Sequence, residues 1–505
     1  MERTMERTME CNSHLLLKNA VIFTVDAENR KYRQGDILIR GNEIVAIGDT
    51  GTLTVPSGAK IKDCSGYLLM PGLVNAHSHS QSALTKMMGS GDRTNTITAL
   101  WYGFAHGENR TLQDITLSAQ VHAIQMIESG CTLCIDQFNY GGTPRLEQVS
   151  AAIEGYRSTG MRCKLVYDMI DRTQDYILPE TDTPIPELAR QLASGKKALS
   201  LNELIEGFRK AAALCPEREG RITVVPGTPV PSMCTDQLLE MFPQLAKEYN
   251  TIFTCHMLEH FKERGLTQAR WNMPEIAFLK KIDFLRPELN IAHCIWATDD
   301  EIRTLAQCGV SVTHCPELNI KLGGGVAKIR KMLNSGINVA LGADSATNQI
   351  MFDVMKLTAL IHRINQLNPE AWIFADEIIR MATIGGAKAL GMDHEVGSLE
   401  PGKRADIIFL DLTTSRLCPT TDLPCRLVYT ENGASVDAVM VDGEMIMERR
   451  RLLRLDATET LRRAQLASDR LEQKNQELFR VADQMTEILN PEVRKLVNSE
   501  EVSHF

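Results

Sequence analysis

The 505-residue chain has no uninterrupted apolar stretch approaching the roughly 18 residues needed to cross a bilayer. A membrane-spanning protein is therefore not expected. An excess of positive charge is also missing, because 55 lysines and arginines face 64 aspartates and glutamates for a formal charge of -9. That balance argues against nucleic acid or an anionic membrane surface as the main partner and favours a small-molecule ligand. The thirteen cysteines, scattered from Cys11 to Cys425, lack the dense, even spacing of a disulfide framework. Reduced thiols in a cytoplasmic protein are expected. Cys131 and Cys134 in CTLC have a redox-like spacing, but no second pair accompanies them and their run is apolar. They read as buried structural thiols. The N-terminus MERTMERTME is polar, repeats itself and lacks the apolar core of a signal peptide. Residues 1–12 are expected to be disordered and outside the fold.

What is present is length enough for a large domain plus a smaller one. From His14 to about Leu69 the chain alternates β-rich runs with turn signals. The rhythm then changes to short apolar runs separated by helical patterns, the mark of parallel βα units. Eight such runs can be counted: GYLLMPGLVNAH, CTLCIDQ, RCKLVYDMI, ITVVPGTP, TIFTCHM, LNIAHC, VSVTHCP and NVALGAD. The economical fold is α/β, a (β/α)8 TIM barrel over residues 69–392 with its chemistry at the C-terminal ends of the strands. The β pattern returns over 393–450, which is expected to join 13–68 in a small discontinuous β-sandwich domain. Residues 451–505 read as a charged helical tail that packs on the barrel or on a second subunit.

Four of the eight runs finish on a metal-type residue. In PGLVNAHSHS, His77 and His79 are one residue apart, a spacing that aims two strand side chains at one target. The fifth run ends on His256 and the eighth on Asp344. Three imidazoles and a carboxylate suit one zinc or similar divalent ion per subunit, iron being the alternative, with a position left for water. The sixth run ends on His293, either a fifth ligand or a donor beside the metal. The fourth run has no lysine that could be carboxylated to bridge two metals, which favours a single ion and frees His293 for the substrate. Glu259, three residues after His256, is placed to act as general base and then acid. Each residue has a plainer rival: a rim histidine, a helix-capping aspartate or a solvated glutamate. The same-side pair and the shared strand ends favour the metal. His106, His122, His260, His314 and His362 have no equal place in this scheme. The glycine run KLGGGVAK lacks P-loop spacing and reads as a loop over the barrel mouth.

These motifs resemble the amidohydrolase superfamily, in particular its branch of atrazine chlorohydrolase, melamine deaminase and S-adenosylhomocysteine deaminase. The likeness rests on PGLVNAHSHS, HMLE, AHC before IWATDDEI, HCPELNIKLGGGVAKI, VALGAD and MATIGGAKALGMDHEVGSLEPGKRADIIFLDL, and spans roughly residues 14 to 450. The resemblance implies that His77, His79, His256 and Asp344 hold one metal, that Glu259 moves protons, and that His293 orients water or polarises the substrate. It also implies a homo-oligomer. DSATNQIMFDVMK is shorter than the corresponding loop of many relatives, Leu318 stands where they often have a small residue, and MMGSGDRTNTITALWYGF differs from the arginine-containing segment of nucleoside deaminases. Those loops shape the pocket, so the substrate does not transfer from one relative. The expected activity is hydrolytic displacement of ammonia or an amine from an amino-substituted N-heterocycle or amidine. Halide displacement from a chlorinated triazine, hydrolysis of an acyclic guanidine or urea, and a non-catalytic ligand-binding barrel are the alternatives.

Overall fold

The structure is a computed structural model and describes residues 14–86, 94–95, 98–138, 142–172, 178, 183–194, 199–215, 220–345, 348–364 and 366–497. Residues 1–12, expected to be disordered, lie outside that set.

Eight strands form a parallel barrel in sequence order: β6 (Leu73–Asn75), β7 (Cys131–Asp136), β8 (Arg162–Asp168), β9 (Ile222–Gly227), β10 (Phe253–Met257), β11 (Leu289–His293), β12 (Ser311–His314) and β13 (Asn338–Leu341). The last strand meets the first where Ala76 N–H donates to Leu341 O at 2.9 Å and where Ser78 bridges to Asp344. Strands β7 and β8 are buried at every position, because helices cover one face and the barrel interior the other. Their apolar runs therefore do not alternate. Cys131 and Cys134 are buried free thiols, as is each described cysteine except Cys308, Cys418 and Cys425, which are free but less buried.

The first of the eight runs is divided between two sheets. Its front half, β5 (Tyr67–Pro71), pairs with β1 (His14–Phe23) and β14 (Ile407–Asp411), and only its back half enters the barrel. Nothing in an all-apolar run marks such a change except the Pro71-Gly72 step. Proline has no N–H to continue the ladder, and Gly72 passes so close to Thr132 that an added Cβ would lie 2.0 Å from its Oγ1.

Strands from both ends of the chain pair in one nine-stranded sheet. β2 (Lys31–Arg40), β3 (Glu43–Asp49) and β4 (Lys60–Asp63) extend it from β1, while β15 (Val436–Val441), β16 (Glu444–Glu448) and β17 (Arg451–Leu452) extend it from β14. The sheet curls until Ile44 N–H reaches Lys403 O at 2.8 Å and Ala405 N–H reaches Asn42 O at 2.9 Å. Leu17, Ile37, Ile44, Phe409 and Met440 are enclosed inside it. Of the two settings open to the tail, the helix Ala457–Val497 takes the intramolecular one. Phe479 and Met485 pack with Trp101 and Tyr102, and Leu471 with Leu117 and Val121. The fully buried Asn475 fixes its register, donating to Ala105 O at 2.8 Å and accepting from Asn109 at 2.7 Å.

One buried ion pair ties the barrel to the curled sheet. Arg162, the first residue of β8, forks onto Asp406 at 2.7 and 3.0 Å and reaches Asp442 at 2.9 Å. Burial works against the guanidinium charge, but the two carboxylates outweigh it and raise its pKa. Removing one partner leaves charge buried without compensation. Arg162→Met is expected to cost about 3–5 kcal/mol, read as a lowered thermal unfolding temperature, and Arg162→Lys is expected to recover only part because it lacks the fork.

Candidate metal centre

The strand ends bring all six sequence-predicted residues together. His77 and His79 follow β6, and their Nε2 atoms lie 3.1 Å apart. His256, the fourth residue of β10, brings its Nε2 to 3.2 Å from that of His79. Asp344 Oδ1 is 3.4 Å from His79 Nε2, and Oδ2 is 3.6 Å from His77 Nε2. His293 Nε2 is 3.5 Å from Asp344 Oδ2 and 3.8 Å from Glu259 Oε2. Glycine is required next to this group, since a Cβ at Gly342 would fall 2.8 Å from His77 Cβ.

Backbone conformation turns these side chains inward. In the parallel register Met257 stands opposite His293, so a regular strand would point His293 to the opposite face from His256. A left-handed φ of 77° at His293 redirects it, and Cys294, Leu258 and Asp344 also have left-handed φ values of 50°, 53° and 61°. Such conformations each cost about 1–3 kcal/mol and collect at functional sites.

The hydrogen bonds set the imidazole tautomers. His79 Nδ1 lies 2.7 Å from Gln137 O and His256 Nδ1 lies 2.6 Å from Pro229 O. Carbonyl oxygens only accept, so each Nδ1 carries the proton and each neutral ring turns a bare Nε2 lone pair into the cluster. Burial, reinforced by neighbouring imidazoles, pushes the pKa of His77 and His256 well below the ordinary range. His77 Nδ1, His293 Nε2 and Asp344 Oδ2 are buried without a hydrogen-bond partner among the described residues. Neutral rings with converging lone pairs beside a buried carboxylate repel one another unless a cation lies among them. Three imidazole nitrogens and a carboxylate are a fitting donor set for a divalent transition metal.

The two acid-base candidates shift in the same direction. Burial raises the Glu259 pKa, with Asp344 and Glu263 adding to the effect against His293. Burial lowers that of His293, but Glu259 and Asp344 more than reverse it, so the net shift is upward. Sequence reasoning missed two neighbours. Asn319 is 1% exposed and its Oδ1 meets His293 Nδ1 at 3.0 Å, while the Cys315 thiol falls in a possible ligand group with His293 and Asp344. Both lie in HCPELN, yet only the fold brings that segment, the start of the helix Pro316–Lys321, against strand six. His314 is fully buried and faces His362, Nε2 to Nε2, at 3.4 Å. His106, His122 and His260 join none of the ligand groups among the described residues.

A barrel with this cluster on its C-terminal rim has the architecture of a metal-dependent hydrolase. The model of the amidohydrolase family matches residues 68–446, and the chain belongs to that family. It is 31% identical over 461 residues to a 5'-deoxyadenosine deaminase of Methanosarcina mazei, covering 90% of this chain and 98% of that one. It is 30% identical over 466 residues to a 5-methylthioadenosine/S-adenosylhomocysteine deaminase of Pelotomaculum thermopropionicum, covering 91% and 99%. Among solved structures, it is similar in fold to an adenosine deaminase from Xanthomonas campestris with bound zinc, at a TM-score of 0.79, 22% identity and coverage of 92% and 99%. An atrazine chlorohydrolase from Arthrobacter aurescens complexed with zinc is similar at 0.77 and 24%, covering 91% and 100%.

If His256 is a ligand, His256→Ala is expected to lose most of its metal after loading, as read by elemental analysis. Metal content equal to that of the parent protein would remove His256 from the set.

Proposed function

We propose that the protein is a metal-dependent aminohydrolase that displaces ammonia from an amino-substituted N-heterocycle, its ligands being His77, His79, His256 and Asp344 and its proton carrier Glu259. The observation that carries this reading is the convergence of three Nε2 atoms and the Asp344 carboxylate beside Glu259, whose Oε2 is 3.8 Å from His293. Deaminase relatives aligned along nearly the whole chain support the same reaction, hydrolysis of a carbon–nitrogen bond of the cyclic-amidine type. When bound, a single divalent ion, zinc first and iron second, supplies a water nucleophile at neutral pH.

The chain's own groups do the rest. Asp344 and His293 orient the attacking water towards the substrate. Glu259, its pKa raised by burial, takes a proton from that water and gives it to the ring nitrogen, which makes the amidine carbon electrophilic. As the tetrahedral adduct collapses, its hydroxyl proton passes to the exocyclic nitrogen, which leaves as ammonia, and the ring keeps the oxygen. Among heterocycles, the relatives favour the 6-amino group of an adenosine-type nucleoside over a triazine. The chlorohydrolase likeness, at 24% identity, supports the fold and gives halide displacement no comparable backing. The reading includes a cytoplasmic homo-oligomer, the first part of which accords with the free thiols. No helix of the described residues is long and apolar enough to cross a membrane.

Ammonia release is measured with metal-loaded protein against 5'-deoxyadenosine, methylthioadenosine, S-adenosylhomocysteine, adenosine, aminated triazines and acyclic amidines. Release is expected from a nucleoside. Glu259→Gln is expected to keep its metal and lose turnover by at least ~10²-fold. No ammonia from any compound with metal bound would overturn the aminohydrolase reading.

A further inference from the structure

The Glu259 side chain stands 23% exposed, and no hydrogen bond to its carboxylate is found among the described residues, so its aim depends on its backbone. That backbone leaves β10 through the left-handed Leu258 and enters the helix Lys262–Trp271 four residues later. Inside this turn lies the carboxylate of Glu263. Its Oε2 accepts the N–H of Glu259 at 3.2 Å, and its Oε1 accepts the N–H of His260 at 3.4 Å. The Glu263 side chain is 11% exposed, and the helix holds its main chain, Thr267 Oγ1 donating to Glu263 O at 2.8 Å.

An ordinary helix cap does not account for this arrangement. Complete capping boxes occur at Thr111 with Asp114, Ser200 with Glu203 and Thr298 with Glu301, each with a hydroxyl returning the bond. The helix after β10 has no such hydroxyl, and Phe261 at its N-cap makes no side-chain bond. Glu263 instead reaches past the cap to the residue that carries the acid-base group. The basic group beside this carboxylate is the His260 imidazole, its Nε2 3.6 Å from Glu263 Oε1, and burying a carboxylate without a guanidinium or ammonium partner is unfavourable. An apolar side chain would fill the space at lower cost but would leave both N–H groups without an acceptor.

We infer that Glu263 is a positioning residue: by accepting the N–H groups of Glu259 and His260 it fixes the turn after β10 and aims the Glu259 carboxylate at the reacting atoms. The inference rests on the role given to Glu259 above. Loss of the acceptor leaves the metal ligands in place but lets Glu259 wander, and small displacements of a reacting group are costly in rate.

The test compares Glu263→Ala, Glu263→Gln and Glu263→Asp with the parent and with Glu259→Gln, all full-length and metal-loaded. Glu263→Ala is expected to lower kcat at least ~10-fold while KM and metal content stay near those of the parent. Glu263→Gln keeps one accepting oxygen and should fall between the two. Glu263→Asp keeps the charge but is one methylene too short, and should resemble alanine. Independently of activity, the amides of residues 259 and 260 should exchange faster with deuterium in Glu263→Ala while those of β10 do not. Unchanged kcat or unchanged exchange in Glu263→Ala, a wild-type Glu263→Asp, or loss of metal or fold in both the alanine and glutamine variants would each overturn the inference. Full activity in Glu259→Gln would instead overturn the acid-base role of Glu259 itself, and the exchange readout would still decide whether Glu263 holds the turn.

Discussion

The site depends on two hydrogen bonds that no reacting group makes, from His79 Nδ1 to Gln137 O and from His256 Nδ1 to Pro229 O. Each forces the ring proton to the far side and leaves a lone pair facing inward. Neighbouring rings then bring nitrogens to 3.1 and 3.2 Å of one another, an arrangement that is unfavourable for neutral imidazoles alone and favourable around a cation. The accepting carbonyls follow β7 and β9, two of the strands that contribute none of the six residues to the cluster. Strands without ligands thus orient the ligands of the others, as outer partners commonly do at metal sites.

A parallel barrel suits this task because every strand delivers its C-terminal end to the same rim. Register alone does not finish the work. A regular β11 would turn His293 away from the centre, and the left-handed backbone at His293 and Cys294 corrects it. The cost of those conformations is borne by the surrounding core, in which β10, β11 and the helices over them bury Phe253, Ile291 and Leu279 completely. Stability elsewhere in the barrel supports local strain at the rim.

That division explains which parts of the molecule could be read from sequence. The barrel was legible because its runs repeat at a spacing only parallel units produce, and His77, His79, His256, His293 and Asp344 were legible because each stands at the end of a run. The split of the first run was not, because strand pairing depends on neighbours and an all-apolar segment serves either sheet equally well. Asn319 and Glu263 were hidden for a related reason: what matters in each is an accepting oxygen aimed by the fold, and an asparagine or a glutamate near a helix end looks the same in sequence whatever it accepts from. The tail was open between two settings because a charged helical pattern describes a face without naming its partner, and the buried Asn475 has meaning only beside Ala105 and Asn109.

Exposure orders the cluster from most to least enclosed. The side chains of His77 and His293 are each 1% exposed and Asp344 3%, while His79 reaches 10% and Glu259 23%. His77, His293 and Asp344 are therefore the most enclosed members, while His79, the half-buried His256 and Glu259 are more open to solvent. The sequence after His79 departs from the arginine-containing segment of nucleoside deaminases, while HMLE, which carries Glu259, keeps to the shared motif. On the role proposed for Glu259, the proton chemistry rides on a motif the chain shares with its family, which leaves the divergent sequence after His79 free to set selectivity.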